Sequence, residues 1–269
     1  MSLLRSWLAA LPAYLWSGWG AIASLLLLAA AWEAAAAAWG PLVLPDPRSA
    51  FATLDKLLTQ GDALAELAVT ARRALAGFGL SVAAGTVLGL AAGLSVTAST
   101  VARPLVTVLM GTPPIAWLVL AMLWFGAGDG TPVFTVFLAS FPVVFVGALQ
   151  GARTLDNDLR TMAQAFRLPP RMLLLDLYLP HVVSYLFPAW IAALGMSWKI
   201  VVMAELLATE NGVGAALAVS RSHLDTAATM AWIVAVVGLL LAVEYLAFEP
   251  VKREIERWRQ PEPEAGGRQ

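Results

Sequence analysis

The 269-residue chain contains no cysteine, and that absence excludes disulfides, iron–sulfur clusters, thiolate zinc sites and cysteine nucleophiles together. Charge is scarce too: only 13% of residues are Asp, Glu, Lys or Arg, about half the share usual in a soluble domain. The two histidines, His181 and His223, stand far apart, and no carboxylate or histidine pair has metal-ligand spacing, so no metal is expected. None of the three lysines, Lys56, Lys199 and Lys252, follows a glycine-rich loop of the phosphate-cradling kind. No GxSxG turn occurs, which leaves an embedded enzyme poorly supported.

Apolar surface is abundant instead. Hydrophobic residues make up 59% of the chain and mean hydropathy is +0.75, which places the sequence in the membrane class. A bilayer core about 30 Å thick needs roughly 20 apolar helical residues. Six stretches qualify, near 20–39, 74–96, 104–126, 132–151, 182–207 and 227–248. They predict an all-α membrane protein of about six transmembrane helices, with a membrane domain over 20–250 between an N-terminal segment 1–19 and a tail 251–269. Arg5, an apolar run and the alanines 34–38 resemble a cleaved signal peptide. The run is too long for a signal core and includes Trp32 and Glu33, which argues for a retained helix.

Orientation follows from the basic residues. With the N-terminus inside, eleven Lys and Arg fall on the cytoplasmic side and five, Arg48, Lys56, Arg72, Arg73 and Arg221, on the other. Both termini, and the loop 152–181 between the fourth and fifth spans, are therefore expected in the cytoplasm. No nucleic-acid partner is expected.

Several segments carry more specific signals. "LPDPRSAFATLDKLLTQGDALAELAVTARR" reads as a proline-punctuated turn and then a polar-flecked helix lying along the outer surface. Gly85, Gly89 and Gly93 recur every fourth residue, giving one helical face bare of side chains for close helix packing, within the subunit or across a dimer seam. Pro113 and Pro114 interrupt the third apolar stretch, so its helix must bend or open near Met110 to Thr112. Between the fourth and fifth stretches, "DNDLRTMAQAFRLPPRMLLLDLYLP" is too short and too charged to span. Asp156 suits an N-cap, Leu159, Met162, Ala163 and Phe166 form an apolar stripe, and Pro169 and Pro170 end one short helix and begin another that closes at Leu179–Pro180. Such an element suits docking to a partner.

Four charges lie within the apolar stretches: Glu33, Lys199, Glu205 and Glu244. Each ionised group at mid-bilayer costs about 3 kcal/mol even on the lower scales, so each should face protein or water. Glu205 lies level with Arg72 and Arg73, and a structural ion pair with Arg73 is expected. Lys199, deeper and beside Trp198, is a candidate for a translocation path, where its charge suits an anion. Position and polarity add Met110, Thr112 and Trp117 at the kink, and Ser197.

Taken in order, "LPDP", "RRALAGFGLSVAAGTVLGLAAGLS", "TPPIAWLVLAMLWFGAGDG", "FPVVFVGALQGARTLDNDL" and "MAELLATENGVG" resemble the inner-membrane permease subunits of binding-protein-dependent ABC importers, in the nitrate, sulfonate, taurine and bicarbonate branch. The family's cytoplasmic loop reads roughly EAA, three residues, G, and after a set gap LP. Those positions here are Thr161, Met162, Ala163, then Arg167, then Leu179 and Pro180, so Thr161 replaces the family Glu and Arg167 the family Gly. The resemblance implies a permease dimer resting on two ATPase subunits, with a periplasmic or lipoprotein substrate-binding protein delivering a small solute. It also implies that Thr161, Met162, Ala163, Gln164, Ala165, Phe166 and Arg167 form the helix that docks on the ATPase. ATP and Mg would be bound by the ATPase partner and no cofactor by this chain. An ion-coupled secondary transporter, with Glu33 or Glu244 at its ion site, and a non-transporting scaffold stay open as alternatives.

Overall fold

Helix boundaries in this chain follow its caps and prolines. The computed structural model describes residues 23–154, 161, 162, 165, 166 and 168–243. Its helices are α1 (Ala23–Trp39), α2 (Pro47–Gln60), α3 (Ala63–Gly93), α4 (Val96–Gly111), α5 (Pro114–Phe125), α6 (Gly130–Arg153), α7 (Leu173–Ala208), α8 (Val213–Ser222) and α9 (Thr226–Val243). Among the described residues there is no strand.

Four of these helices, α3, α6, α7 and α9, are long and apolar enough to cross a membrane, or five spans if α4 and α5 count as one broken span. Six were expected, and the described part of α1 is a shorter apolar helix. The third expected span is broken: α4 and α5 meet at 92°. Pro113 and Pro114 supply no N–H to continue the ladder, and Thr112 is extended at ψ 123°, as a residue before proline prefers.

Two other boundaries differ from the sequence reading. The outer surface helix ends at Gln60, and α3 starts at Ala63, so residues 63–73 are the first turns of a spanning helix. No proline or glycine interrupts the chain between Ala63 and Arg73, so the helix extends beyond its apolar part. At the other site, the helix after Pro170 does not close at Leu179–Pro180. It continues through a π-helical stretch, Leu173–Tyr178, into the fifth span, with Pro180 in the first turn of the α-helical part, where its missing N–H costs least.

The chain forms two compact units. Of the described residues, the first comprises 23–61 with Ser220–Val234. Here Asp46 caps α2 by accepting from the Ser49 N–H at 2.8 Å, and Trp32 Nε1 donates to the Pro45 carbonyl at 2.8 Å, which ties the LPDP turn to α1. Thr226 Oγ1 donates to the Pro41 carbonyl at 2.9 Å.

The second unit comprises the described residues of Asp62–Val219 with 235–243. Its centre is the contact of α3 with α6 and of α6 with α7. The small-residue face of α3 is used here: a Cβ built on Gly85 would meet Val144, one on Gly89 would meet Ala148 and the Phe145 carbonyl, and one on Gly93 would meet Ala152. Matching numbers rise together, so α3 and α6 run parallel. Ser81 on the same face donates to the Phe137 carbonyl at 3.0 Å. By contrast α6 and α7 run antiparallel, with Gly151 against Val182 and Ser140 against Ser197. Ala74, Val136, Leu194, Trp198 and Val201 fill the middle, packed also by Leu239, Leu240 and Val243 of α9. This arrangement brings the start of α3, the start of α6 and the end of α7 to one end of the unit, and Arg153 with the start of α7 to the other.

Candidate functional site

At the first end lies a knot of charge. Arg73, on the third turn of α3, is 2% exposed, and Glu205, on the last turn of α7, is fully buried. Arg73 Nη1 donates to Glu205 Oε1 at 2.8 Å and to the Asn211 carbonyl at 2.8 Å. Its Nε and Nη2 both donate to Asp129 Oδ1, at 2.8 and 2.6 Å, and Nη2 also reaches the Asn211 side chain. Arg72, exposed on the neighbouring position, pairs with the other oxygen of Asp129.

The carboxylates are equally committed. Glu205 Oε2 accepts from Thr70 Oγ1 at 2.8 Å and from the Gly214 N–H at 3.1 Å. Thr70 Oγ1 accepts in turn from the Val213 N–H at 2.9 Å, and Glu66 accepts from the Gly212 N–H. Three of the N–H groups that open α8, those of Gly212, Val213 and Gly214, which no helical carbonyl can satisfy, thus end on acidic or hydroxyl oxygens of α3 and α7. Gly212 has φ +97°, and a Cβ there would press on the Glu205 carboxylate, so the turn into α8 needs glycine at this position. Asp129 is held below the ordinary carboxylate range, first by the Arg73 hydrogen bond and then by the charges of Arg73 and Arg72, against partial burial that acts the other way. The arrangement works chemically as a clasp: every charge already has its partners.

Asp129, Thr70, Asn211 and Glu66 were not singled out in the sequence. The available signals were an aspartate in the glycine-rich FGAGDG turn and an asparagine before glycine in TENG, both turn compositions that gain meaning only beside an arginine.

The other candidates lie apart from the clasp and are not gathered in one place. Thr112 and Trp117 share an open depression of about 810 Å³ with Ala116, Leu120 and Leu123, and the Trp117 Nε1–H, itself buried, has no partner among the described residues. Met110, on the far side of the break, lines a different groove of about 330 Å³ between α4 and α6. Ser197, expected on the path, is fully buried, with its hydroxyl bonded to the Ala193 carbonyl at 2.7 Å and lying 3.3 Å from Ser140 Oγ; it faces α6 rather than a path. Lys199 is exposed on α7, on an unpacked stripe with Pro188, Ala192 and Gly195, where a Cβ on Gly195 would meet nothing within 4 Å.

In the docking segment, Thr161 and Met162 are helical and the Phe166 N–H donates to the Met162 carbonyl at 3.0 Å. Met162 is 53% and Phe166 73% exposed, so two large apolar side chains stand out from one turn, and Ala165 is exposed between them. Ala163, Gln164 and Arg167 lie outside the described residues, as does Glu244. Glu33 is exposed on α1.

Comparison with known proteins decides the class of this architecture. Residues 85–254 match the family described as binding-protein-dependent transport system inner membrane component. The chain belongs to this family. The matched region takes in the glycine face from Gly85, the α4–α5 break, the docking segment, Lys199 and Glu205. Similar proteins include the taurine transport system permease protein of Escherichia coli, 29% identical over 226 residues and covering 81% of each chain. The putative aliphatic sulfonates transport permease protein of Bacillus subtilis is 27% identical over 219 residues, covering 81% of this chain and 78% of the relative. The nitrate import permease protein of Leptolyngbya laminosa is 28% identical over 149 residues, 55% of this chain and 53% of the relative. A binding-protein-dependent inner membrane component is a multi-pass transport subunit rather than an enzyme, and its class implies an ATPase and a substrate-binding protein as partners.

Proposed function

We propose that two copies of this permease enclose a translocation pathway for a small anionic solute, driven by two ATPase subunits that grip the turn at Met162–Phe166 from the cytoplasm. The observation that carries the reading is Lys199. It stands on the unpacked stripe of a spanning helix, with no ion pair among the described residues. A cation there is tolerable only against water, a partner or an anion. The relatives named for taurine, sulfonates and nitrate all carry anionic groups on their solutes, which agrees with a cation on the path.

The unpartnered Trp117 N–H beside the open depression would supply a neutral donor to the same solute, and Thr112, whose hydroxyl already donates to the Val108 carbonyl at 2.8 Å, would line the path next to it. Met110 would line the path where α4 breaks, and Ser197 would support it from behind, through its bond to α6. The exposed Met162 and Phe166 offer the apolar contact a partner groove needs. ATP binding closes the ATPase pair, the docked turns move with it, and α7, continuous from Leu173 to Ala208, transmits the movement as a rigid rod. The solute arrives from a substrate-binding protein on the outer side, where the Arg73 clasp would hold the subunit's external end together. ATP and Mg stay on the ATPase.

The test is uptake of radiolabelled taurine or an alkanesulfonate into proteoliposomes holding the permease and its ATPase, with the binding protein outside. Uptake should require ATP inside. Uptake that persists without ATP and collapses with an ion gradient would replace this reading with secondary transport, and a chain that recruits no ATPase would be a scaffold.

A further inference from the structure

We propose that Arg103 and Arg153 hold the phosphate of an anionic phospholipid, whose acyl chain lies in the groove between α4 and α6. The groove of about 330 Å³ is lined from α4 by positions 103, 106, 107 and 110, and from α6 by positions 146, 149, 150 and 153, with Phe145 and Thr154 at its ends. Both sets follow the i, i+3, i+4, i+7 spacing of a single helical face. The two helices run in opposite directions, with Ser99 across from Arg153 and Val106 packed with Phe145, so Arg103, one turn on from Ser99, lies toward the Arg153 end of the groove and Met110 toward the other. One end of the groove is therefore cationic and the other apolar, and no carboxylate lines it among the described residues.

The cationic end is organised. Arg153 Nη1 donates to Ser99 Oγ at 2.7 Å, and Ser99, 1% exposed, passes its own proton to the Val96 carbonyl at 2.9 Å. Arg153 is thus held from one side with donors to spare. Arg103 has no ion pair among the described residues although it sits two turns into an apolar helix. Side chains on a helix lean toward its N-terminus, so the Arg103 guanidinium reaches back toward Ser95, which is the end where Arg153 closes α6. Two guanidiniums at one end of a groove, with no acid beside them among the described residues, form a strong oxyanion site, since each offers a fork of N–H donors.

The ligand is a lipid rather than a soluble anion because of what flanks the arginines. Leu105 and Val108 on α4 are each 63% exposed, and the groove runs on from the charged end along apolar side chains toward mid-helix. Arg103 lies about 12 Å along α4 from its cap, a depth from which a long cationic side chain reaches the headgroup level. Basic pockets between spanning helices at that level suit anionic headgroups. The site lies at the end of the subunit opposite the clasp and uses none of the pathway candidates except Met110, which lines its apolar end.

The experiment is native mass spectrometry of the full-length permease in detergent, titrated with dioleoyl-phosphatidylglycerol or dioleoyl-phosphatidylcholine, with inorganic phosphate as competitor. Phosphatidylglycerol should bind preferentially, R103Q should weaken it about tenfold or more, and R103K should retain most of it. R103Q breaks no ion pair among the described residues, so it should fold, and a thermal melt of each variant checks this. Equal binding of the two lipids, or R103Q binding like the parent, overturns the proposal. Full displacement by millimolar phosphate shows a soluble-anion site and overturns the lipid assignment. Because the readout is lipid retention, a failed uptake assay would leave this result standing, and the reverse.

Discussion

Arg73 and Glu205, 132 residues apart in sequence, meet at 2.8 Å in an ion pair almost wholly removed from solvent. Removing one partner leaves the other charged and buried. Arg73→Met should therefore destabilise the protein by about 3–5 kcal/mol, and the Arg73→Met, Glu205→Met double variant by less than the single change. Thermal unfolding in detergent measures both. A double variant worse than the sum of the singles would show that the pair does not act as a unit.

Asp129 predicts a pH dependence. Its carboxyl is depressed in the folded protein by the Arg73 hydrogen bond, so its contribution is present above the unfolded value near 4 and is lost as the pH falls through the still lower folded value. Asp129→Asn should lower the melting temperature at neutral pH, and the gap from the parent should shrink as the pH drops below about 4. A gap constant from pH 7 to pH 3 would remove Asp129 from the clasp.

The close approach of α3 and α6 predicts that side-chain volume is not tolerated at Gly89, where a Cβ would lie 2.6 Å from that of Ala148. Gly89→Val should cost about 1–3 kcal/mol, as overpacking does, and lower the yield of folded protein from membranes. A parent-like melt would mean that the two helices are not in contact there.

Phe166→Asp places a charge where an exposed apolar side chain now stands. The helices should be unaffected, because Phe166 is 73% exposed, while co-purification of the ATPase partner should fall about tenfold or more. An intact complex would refute the docking assignment.

Lys199→Met keeps the length of the side chain and removes its charge. Uptake of an anionic solute should fall about tenfold, the loss of one charge-assisted contact, while Lys199→Arg keeps much of it. Unchanged transport would make Lys199 a residue of structure alone.

Much of the fold was legible from residue order. Pro113 and Pro114 announced the break between α4 and α5, because proline lacks the N–H a helix interior requires. Charges in an apolar helix stand out, which drew attention to Arg73, Glu205 and Lys199. The partners of those charges were less visible. Asp129 sits in a glycine-rich turn 56 residues from Arg73, and Asn211 in another turn 138 residues away, so nothing local marks either as a ligand of a guanidinium. Ser197 shows the converse: a hydroxyl in a span is compatible with a path or with a neighbouring helix, and only the approach of Ser140 places it against α6.

The chain alone determined that this is a helical membrane protein without a thiol and without a glycine-rich phosphate loop before a lysine, because composition and spacing set what a lipid-embedded backbone can do. Tertiary structure decided which faces are spent. The Gly85–Gly93 face serves α6 within the subunit, since small residues let those two backbones touch, and the stripe carrying Lys199 is left open. It also brought Arg103 and Arg153 to one groove, because α4 returns antiparallel to α6, and helical direction is invisible in a list of residues.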